Sequence, residues 1–296
     1  MPHLLRLTGV VILSVLFAAS CTPANPTPRV SHQDEITFIT GEDSQLEIFL
    51  KNTSTGKVLN ITNKPSDDYW PSWSPDGERM AFSSTRPGNF DVYILDLAKE
   101  TMTNITVNPA DDGWPAWSPD GNWIAFASNR EGNYDIYVMK PDGKDVRNIT
   151  NNNLENGTPS WSPDNRKIAF SSNRKGQWDV FVVNLDGTGL VNISDNNATD
   201  NLPAWSPDGK KIAFVSDRSG NTEIWTYDLD TRTLTNLTNN PQSDEYPSWS
   251  IDGSKIIFSS NRVGGNSNIF VMNADGSNII QLTDDNYSNW KPVFRP

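Results

Sequence analysis

Histidine and cysteine are almost missing from this sequence. Its 296 residues include two histidines, His3 and His32, and one cysteine, Cys21. Nothing after position 32 is either residue, which excludes Ser-His-Asp and Cys-His nucleophilic chemistry and histidine-based metal sites there. A lone cysteine cannot form an intrachain disulfide. No G-x-S-x-G elbow occurs. Basic residues are also scarce, with 24 Lys+Arg against 36 Asp+Glu and a net charge of -12. That balance argues against nucleic acid, whose phosphates need clustered Lys and Arg, and it favours a cationic partner. Helical periodicity is lacking beyond the first twenty residues, and the apolar run Val10–Phe17 is too short for a good membrane span. The abundant carboxylates leave paired-carboxylate chemistry open.

The first residues, MPHLLRLTGVVILSVLFAAS, join a basic Arg6, the apolar run and small residues Ala18, Ala19 and Ser20. This is the pattern of a secretory signal over 1–20. Small residues directly before Cys21 resemble a bacterial lipoprotein cleavage site, where the cysteine becomes lipidated; an ordinary cleaved signal is the alternative. Residues 21–34, with prolines at 23, 26 and 28, read as a flexible tether. The expected location is the bacterial envelope, periplasmic or on the outer cell surface, with membrane contact by the lipid anchor alone.

What the chain does contain is repetition. PSWSPDG at 71–77 returns as PAWSPDG (115–121), PSWSPDN (159–165), PAWSPDG (203–209) and PSWSIDG (247–253), each 44 residues after the last. A second element reads RMAFSST, WIAFASN, KIAFSSN, KIAFVSD and KIIFSSN, and a third runs from FDVYILD (90–96) to SNIFVMN (267–273). A fourth ends in NIT, NIS, NLT or QLT. The elements are short, β-branched and aromatic, which is strand chemistry. Ser-Pro-Asp-Gly fits a type I turn, and Asp142-Gly143, Asp186-Gly187 and Asp275-Gly276 fit tight hairpins.

Each unit is therefore four antiparallel strands, a to d. Sheets of this size bury both faces by stacking radially, as a β-propeller. The first unit, over Ile36–Thr40, Leu46–Lys51 and Val58–Thr62, lacks strand a, and Trp290–Phe294 supplies one at the other terminus. The expectation is an all-β, six-bladed propeller over 35–296, closed by the C-terminal strand joining the N-terminal blade.

Trp73, Trp117, Trp161, Trp205 and Trp249, with Phe294 in the sixth place, read as inter-blade packing. Glu47, Asp91, Asp135, Asp179, Glu223 and Asn268, which open strand c, read as hydrogen-bonding within the blade. Three residues before each repeat proline stand Asp68, Asp112, Asn156, Asp200, Asp244 and Asn289. Loops from d to a converge on one mouth of the channel, so these groups form either a carboxylate ring or a set of Asx turns. As a ring, Asp68, Asp112, Asp200 and Asp244 suit Ca²⁺ or a partner's ammonium or guanidinium; no cofactor is required. Asp67, Asp111, Glu155 and Glu245 add charge nearby. Tyr69, Trp70, Trp114, Tyr246, Tyr287 and Trp290 put aromatic groups in the same loops.

The phrases at Trp117–Phe126 with Ser128–Tyr137, and at Trp205–Phe214 with Ser216–Trp225, resemble the repeat of TolB-like propellers, also described as WD40-like. The resemblance spans 35–296. It implies an envelope module that binds a protein or peptide; the missing histidine and cysteine argue against catalysis, and a monomer is expected. TolB proteins carry an α/β domain ahead of the propeller; the 34 residues here leave no room for one, so a propeller without it is expected. Related propellers gate peptidases, and a histidine-dependent lyase of the oligogalacturonate type is disfavoured by the missing histidines. The competing class is a carbohydrate-binding or carboxylate-dependent carbohydrate-active propeller.

Overall fold

The computed structural model describes residues 32, 34–41, 45–86 and 88–296. The expected signal over 1–20, Cys21 and nearly all of the expected tether lie outside the described residues. The described residues hold 24 strands in six four-stranded antiparallel sheets and no helix. The innermost strands a are Trp290–Phe294 in blade 1, then Asp68–Trp73, Asp112–Trp117, Asn156–Trp161, Asp200–Trp205 and Asp244–Trp249 in blades 2 to 6. Successive strands a pack side by side, and the last meets the first, so they enclose a central channel.

Closure is as the sequence implies. Trp290–Phe294 pairs with Glu35–Thr40, with Ile36 opposite Phe294 and Thr37 opposite Val293. Arg295 locks the seam: its Nη1 meets Glu35 Oε2 at 2.6 Å, its Nε donates to Gly77 O at 2.8 Å, and its guanidinium lies over Trp73.

The repeated phrase is a strand, a turn and a wedge. Ser74 N and Arg79 O close the turn at 2.8 Å, Gly77 N donates to Ser74 O, and Glu78 N donates to Asp76 Oδ1 at 3.1 Å. Gly77 takes φ +70°, a conformation open to glycine. The strand-a tryptophans reach the preceding blade: Trp161 Nε1 donates to Ala116 O at 3.0 Å and Trp249 Nε1 to Ala204 O at 3.1 Å. Between blades lie Phe82, Phe126, Phe170, Phe214 and Phe258, all 0 % exposed, one in each of blades 2 to 6. All five face an aromatic residue of strand c in register, as Phe126 faces Tyr137 at 5.7 Å.

The N-x-S/T triplets are structural. Thr106 Oγ1 accepts from Val92 N at 2.8 Å and donates to Asp91 at 3.2 Å, while Asn104 Oδ1 caps Thr106 N at 3.0 Å. Thr62 with Glu47 and Thr238 with Glu223 repeat the arrangement. This capping ends strand d early, so Val58–Asn60 stops short of the expected Thr62.

Candidate functional site

The d-to-a carboxylates do not form an open ring. Asp68, Asp112, Asp200 and Asp244 are each 0 % exposed. Each meets an arginine of its own blade: Arg86 at 2.8 Å, Arg130 at 2.8 Å, Arg218 at 2.9 Å and Arg262 at 2.7 Å. The guanidiniums in turn lie over ring pairs of strands b and c; Arg130 sits 5.2 Å from Phe126 and 4.8 Å from Tyr137. Asn108 and Asn196 donate to the remaining oxygens of Asp112 and Asp200 at 2.5 and 2.6 Å. In blade 4 Asn156 replaces the acid and accepts from Arg174 at 2.9 Å. In blade 1 the sequence position aligned with the arginines is Glu42, and among the described residues the buried Asn289 Oδ1 has no hydrogen-bond partner.

Five of these residues open strand a and Asn289 stands just ahead of it; each acid is tied to the arginine of its own blade, and Asn156 also donates to Asp135 of blade 3 at 3.0 Å, so the expectation of a shared partner-binding ring is corrected. A buried carboxylate needs compensating hydrogen bonds or charge, and for these four aspartates arginine supplies both. The four aspartates lie in four blades, each already neutralised. That donor set does not fit a shared Ca²⁺, and the described residues hold no group of three or more His, Cys, Asp or Glu suited to a metal ion. Asp111 and Glu155 are also committed, capping Phe90 N at 3.0 Å and Tyr134 N at 3.2 Å.

What reaches the channel is the residue before each strand-a proline. In blade 2 Asp68 pairs with Ser84 and Tyr69 with Ser83, and pairing resumes at Ser72 with Ala81, so Trp70 and Pro71 bulge. Blades 3 to 6 repeat the shift. The pre-proline residues all take left-handed φ: Trp70 +58°, Trp114 +52°, Thr158 +51°, Leu202 +55°, Tyr246 +57° and Lys291 +48°. Such a conformation costs a non-glycine residue about 1–2 kcal/mol, and bulges of this kind re-aim side chains. Here they form a collar across the channel. Trp70 meets Trp114 edge-on at 5.9 Å and Tyr246 at 5.7 Å.

Trp70, Trp114 and Tyr246 line the channel from within strand a rather than from the d-to-a loops. Trp290 does not share their place: it aligns with Tyr69, one residue ahead of the bulge, and packs on the core between blades 1 and 2. Lys291, Thr158 and Leu202 are the collar members that sequence reasoning missed. Their signal was the fixed X-Pro step, which carries a different X in nearly every repeat.

On the d-to-a side of the collar lies a cavity of about 510 Å³. Aromatic walls come from Trp70, Trp114, Tyr134, Trp178 and Tyr246, and carboxylates from Glu155 and Glu245. Burial, then Asp244, raises Glu245 above the usual carboxylate range, and no described residue donates to it. Burial and Glu245 push Tyr246 up to about 12, and burial and Asp111 do the same for Tyr134. Asn201 Oδ1 and Thr222 Oγ1, which line the same cavity, are buried and have no hydrogen-bond partner among the described residues. Acceptors short of donors, a carboxylate and ring faces together suit a cationic, multi-donor group.

The model of the TolB beta propeller domain matches residues 19–158, 147–230 and 203–296. The chain belongs to the TolB beta propeller domain family. Among solved structures, TolB from Acinetobacter baumannii is 23% identical with a TM-score of 0.77, covering 89% of this chain and 67% of that one. Hydrazine synthase of Kuenenia stuttgartiensis is 16% identical, TM-score 0.72, over 88% of this chain and 46% of that one. An oligogalacturonate lyase from Vibrio parahaemolyticus is 16% identical, TM-score 0.60, over 86% of this chain and 75% of that one. At these identities the likeness is one of fold. Comparison with curated proteins finds no match.

Proposed function

We propose that this TolB-family propeller is a non-catalytic binding module of the cell envelope. It captures a protein or peptide partner by a basic side chain or amino terminus seated in the 510 Å³ cavity. The observation that carries this reading is that Glu245, Asn201 Oδ1 and Thr222 Oγ1 line one aromatic-walled cavity, none with a donor among the described residues. A guanidinium offers five donors and a planar face, which matches both the oxygens and the rings. Family membership and the secretory pattern of residues 1–21 support the envelope setting, with Cys21 as the lipid attachment point.

Titration calorimetry tests the recognition. A Gly-Arg-Gly peptide should bind, Gly-Glu-Gly should not, and Glu245→Gln should weaken the arginine peptide about tenfold by removing a charge-assisted hydrogen bond. Equal binding of Gly-Arg-Gly and its citrulline analogue would contradict it. For the anchor, Cys21→Ser should move the protein from the membrane pellet to the soluble fraction; an unchanged pellet would refute lipidation.

A further inference from the structure

The channel has a second chamber, on the side of the collar facing the Ser-Pro-Asp-Gly turns. It encloses about 220 Å³, walled by residues of every strand a: prolines and small residues from blades 2 to 6, Val293 from blade 1, and Trp117 and Trp161 beside them. Among the described residues that line it, one is charged: Lys291. Its Nζ lies 5.2 Å from the centre of the Trp70 ring, and no described carboxylate forms an ion pair with it. Burial holds the ammonium at about 8.

One step below the prolines the lining alternates. Blades 2, 4 and 6 contribute Ser72, Ser160 and Ser248; blades 3, 5 and 1 contribute Ala116, Ala204 and Val293. Ser72 Oγ accepts from Trp117 N at 2.9 Å and Ser160 Oγ from Trp205 N at 3.0 Å. Among the described residues none of the three hydroxyls donates to a protein acceptor, so their hydrogens remain for a ligand. Each accepted backbone N–H turns its serine into a better donor.

We propose that this chamber is a carboxylate-binding site, in which Lys291 supplies the charge and Ser72, Ser160 and Ser248 supply hydroxyl donors. One ammonium matches a monoanion; a phosphate dianion would bring a second charge that no residue of the chamber offsets. Proline and alanine walls suit a small apolar body behind the carboxylate. The turn aspartates at this end are occupied: Asp120, Asp164, Asp208 and Asp252 each accept from the serine of their own turn at 2.6 Å. The other titratable groups near the collar, Glu245 and Tyr246 of blade 6, Glu155 of blade 4 and Tyr134 of blade 3, line the opposite cavity. The two proposals rest on different polar groups, although Trp70, Trp114, Thr158 and Leu202 line both chambers.

Two sources carry this chemistry: a free short-chain acid, and the C-terminal carboxylate of a polypeptide. The test follows the Cε methylene resonances of ¹³C-labelled lysine in the intact protein, with acetate, Ala-Ala-Ala and Ala-Ala-Ala amide at constant ionic strength. Lys291 should titrate near 8 in the free protein. Its pKa should rise on addition of carboxylate, because an anion favours the ammonium. By linkage, affinity should fall as pH rises through that value. Lys291→Met should weaken binding about tenfold or more, and Ser248→Ala by a smaller factor. Binding of acetate and the free tripeptide alike assigns the site to any small carboxylate, and of the tripeptide alone to a polypeptide terminus. An unmoved Lys291 resonance with both acids overturns the proposal, as does equal binding of the amide. The wild-type shift decides the question even where Lys291→Met fails to fold.

Discussion

Inside blades 2, 3, 5 and 6 an arginine grips an aspartate of the same blade above aromatic rings. Around the channel the six residues ahead of the strand-a prolines share a backbone conformation and little else: Trp70, Trp114, Thr158, Leu202, Tyr246 and Lys291. The first set repeats in side chain because each blade must solve the same burial problem. The second set repeats in backbone while its side chains vary. A strained φ kept at six places, with chemistry free to differ at each, is how a symmetric scaffold builds an asymmetric site. The carboxylates belong to the scaffold, and the collar belongs to the channel.

That contrast can be broken most severely from the scaffold side. Arg218→Ala strands Asp200, which is fully buried, and should cost about 3–5 kcal/mol in urea unfolding. A cost near zero would mean the pair is dispensable and the two sets are not distinct. The collar offers a smaller effect of either sign. Leu202→Val puts a β-branched side chain at φ +55° and should cost about 1–2 kcal/mol, whereas Leu202→Gly relieves the backbone and should leave stability within about 1 kcal/mol of the parent. Equal losses in both variants would show that Leu202 packing, not backbone strain, dominates.

The smallest expected effect sharpens the comparison through pH. Burial raises the folded pKa of Glu245 above its ordinary value of 4.5, so folding disfavours its charged form. Stability from this group therefore falls as pH rises from 4.5 through the raised value and stays lower above it. Glu245→Gln removes that penalty. The variant should be more stable than the parent at neutral pH by about 1 kcal/mol or less, with the gap closing in acid. A gap that widens in acid would reverse the sign and place a cation beside Glu245.

Much of the scaffold was legible. A 44-residue period, strand and turn chemistry, and a strand a displaced to the far terminus lead to six closed blades. The pairing of Asp112 with Arg130 was also in view, since both recur at a fixed separation of 18 residues, but reading the acids as a row hid their partners. The collar was harder. A bulge inserts one residue and turns the next side chain to the other face, so Trp290 looked like a channel residue while Lys291 beside it is one. Composition cannot show a bulge; the unvarying proline after a varying residue was its only trace.

The most direct test of this separation measures the same basic peptide, Gly-Arg-Gly, against one channel variant and one blade variant. Tyr246→Ala should weaken binding about tenfold while leaving thermal unfolding nearly unchanged. Trp161→Phe, which loses the indole bond to Ala116, should lower the unfolding temperature and leave affinity unchanged. Full affinity in Tyr246→Ala together with lost affinity in folded Trp161→Phe would contradict the account and move recognition from the channel to the blades.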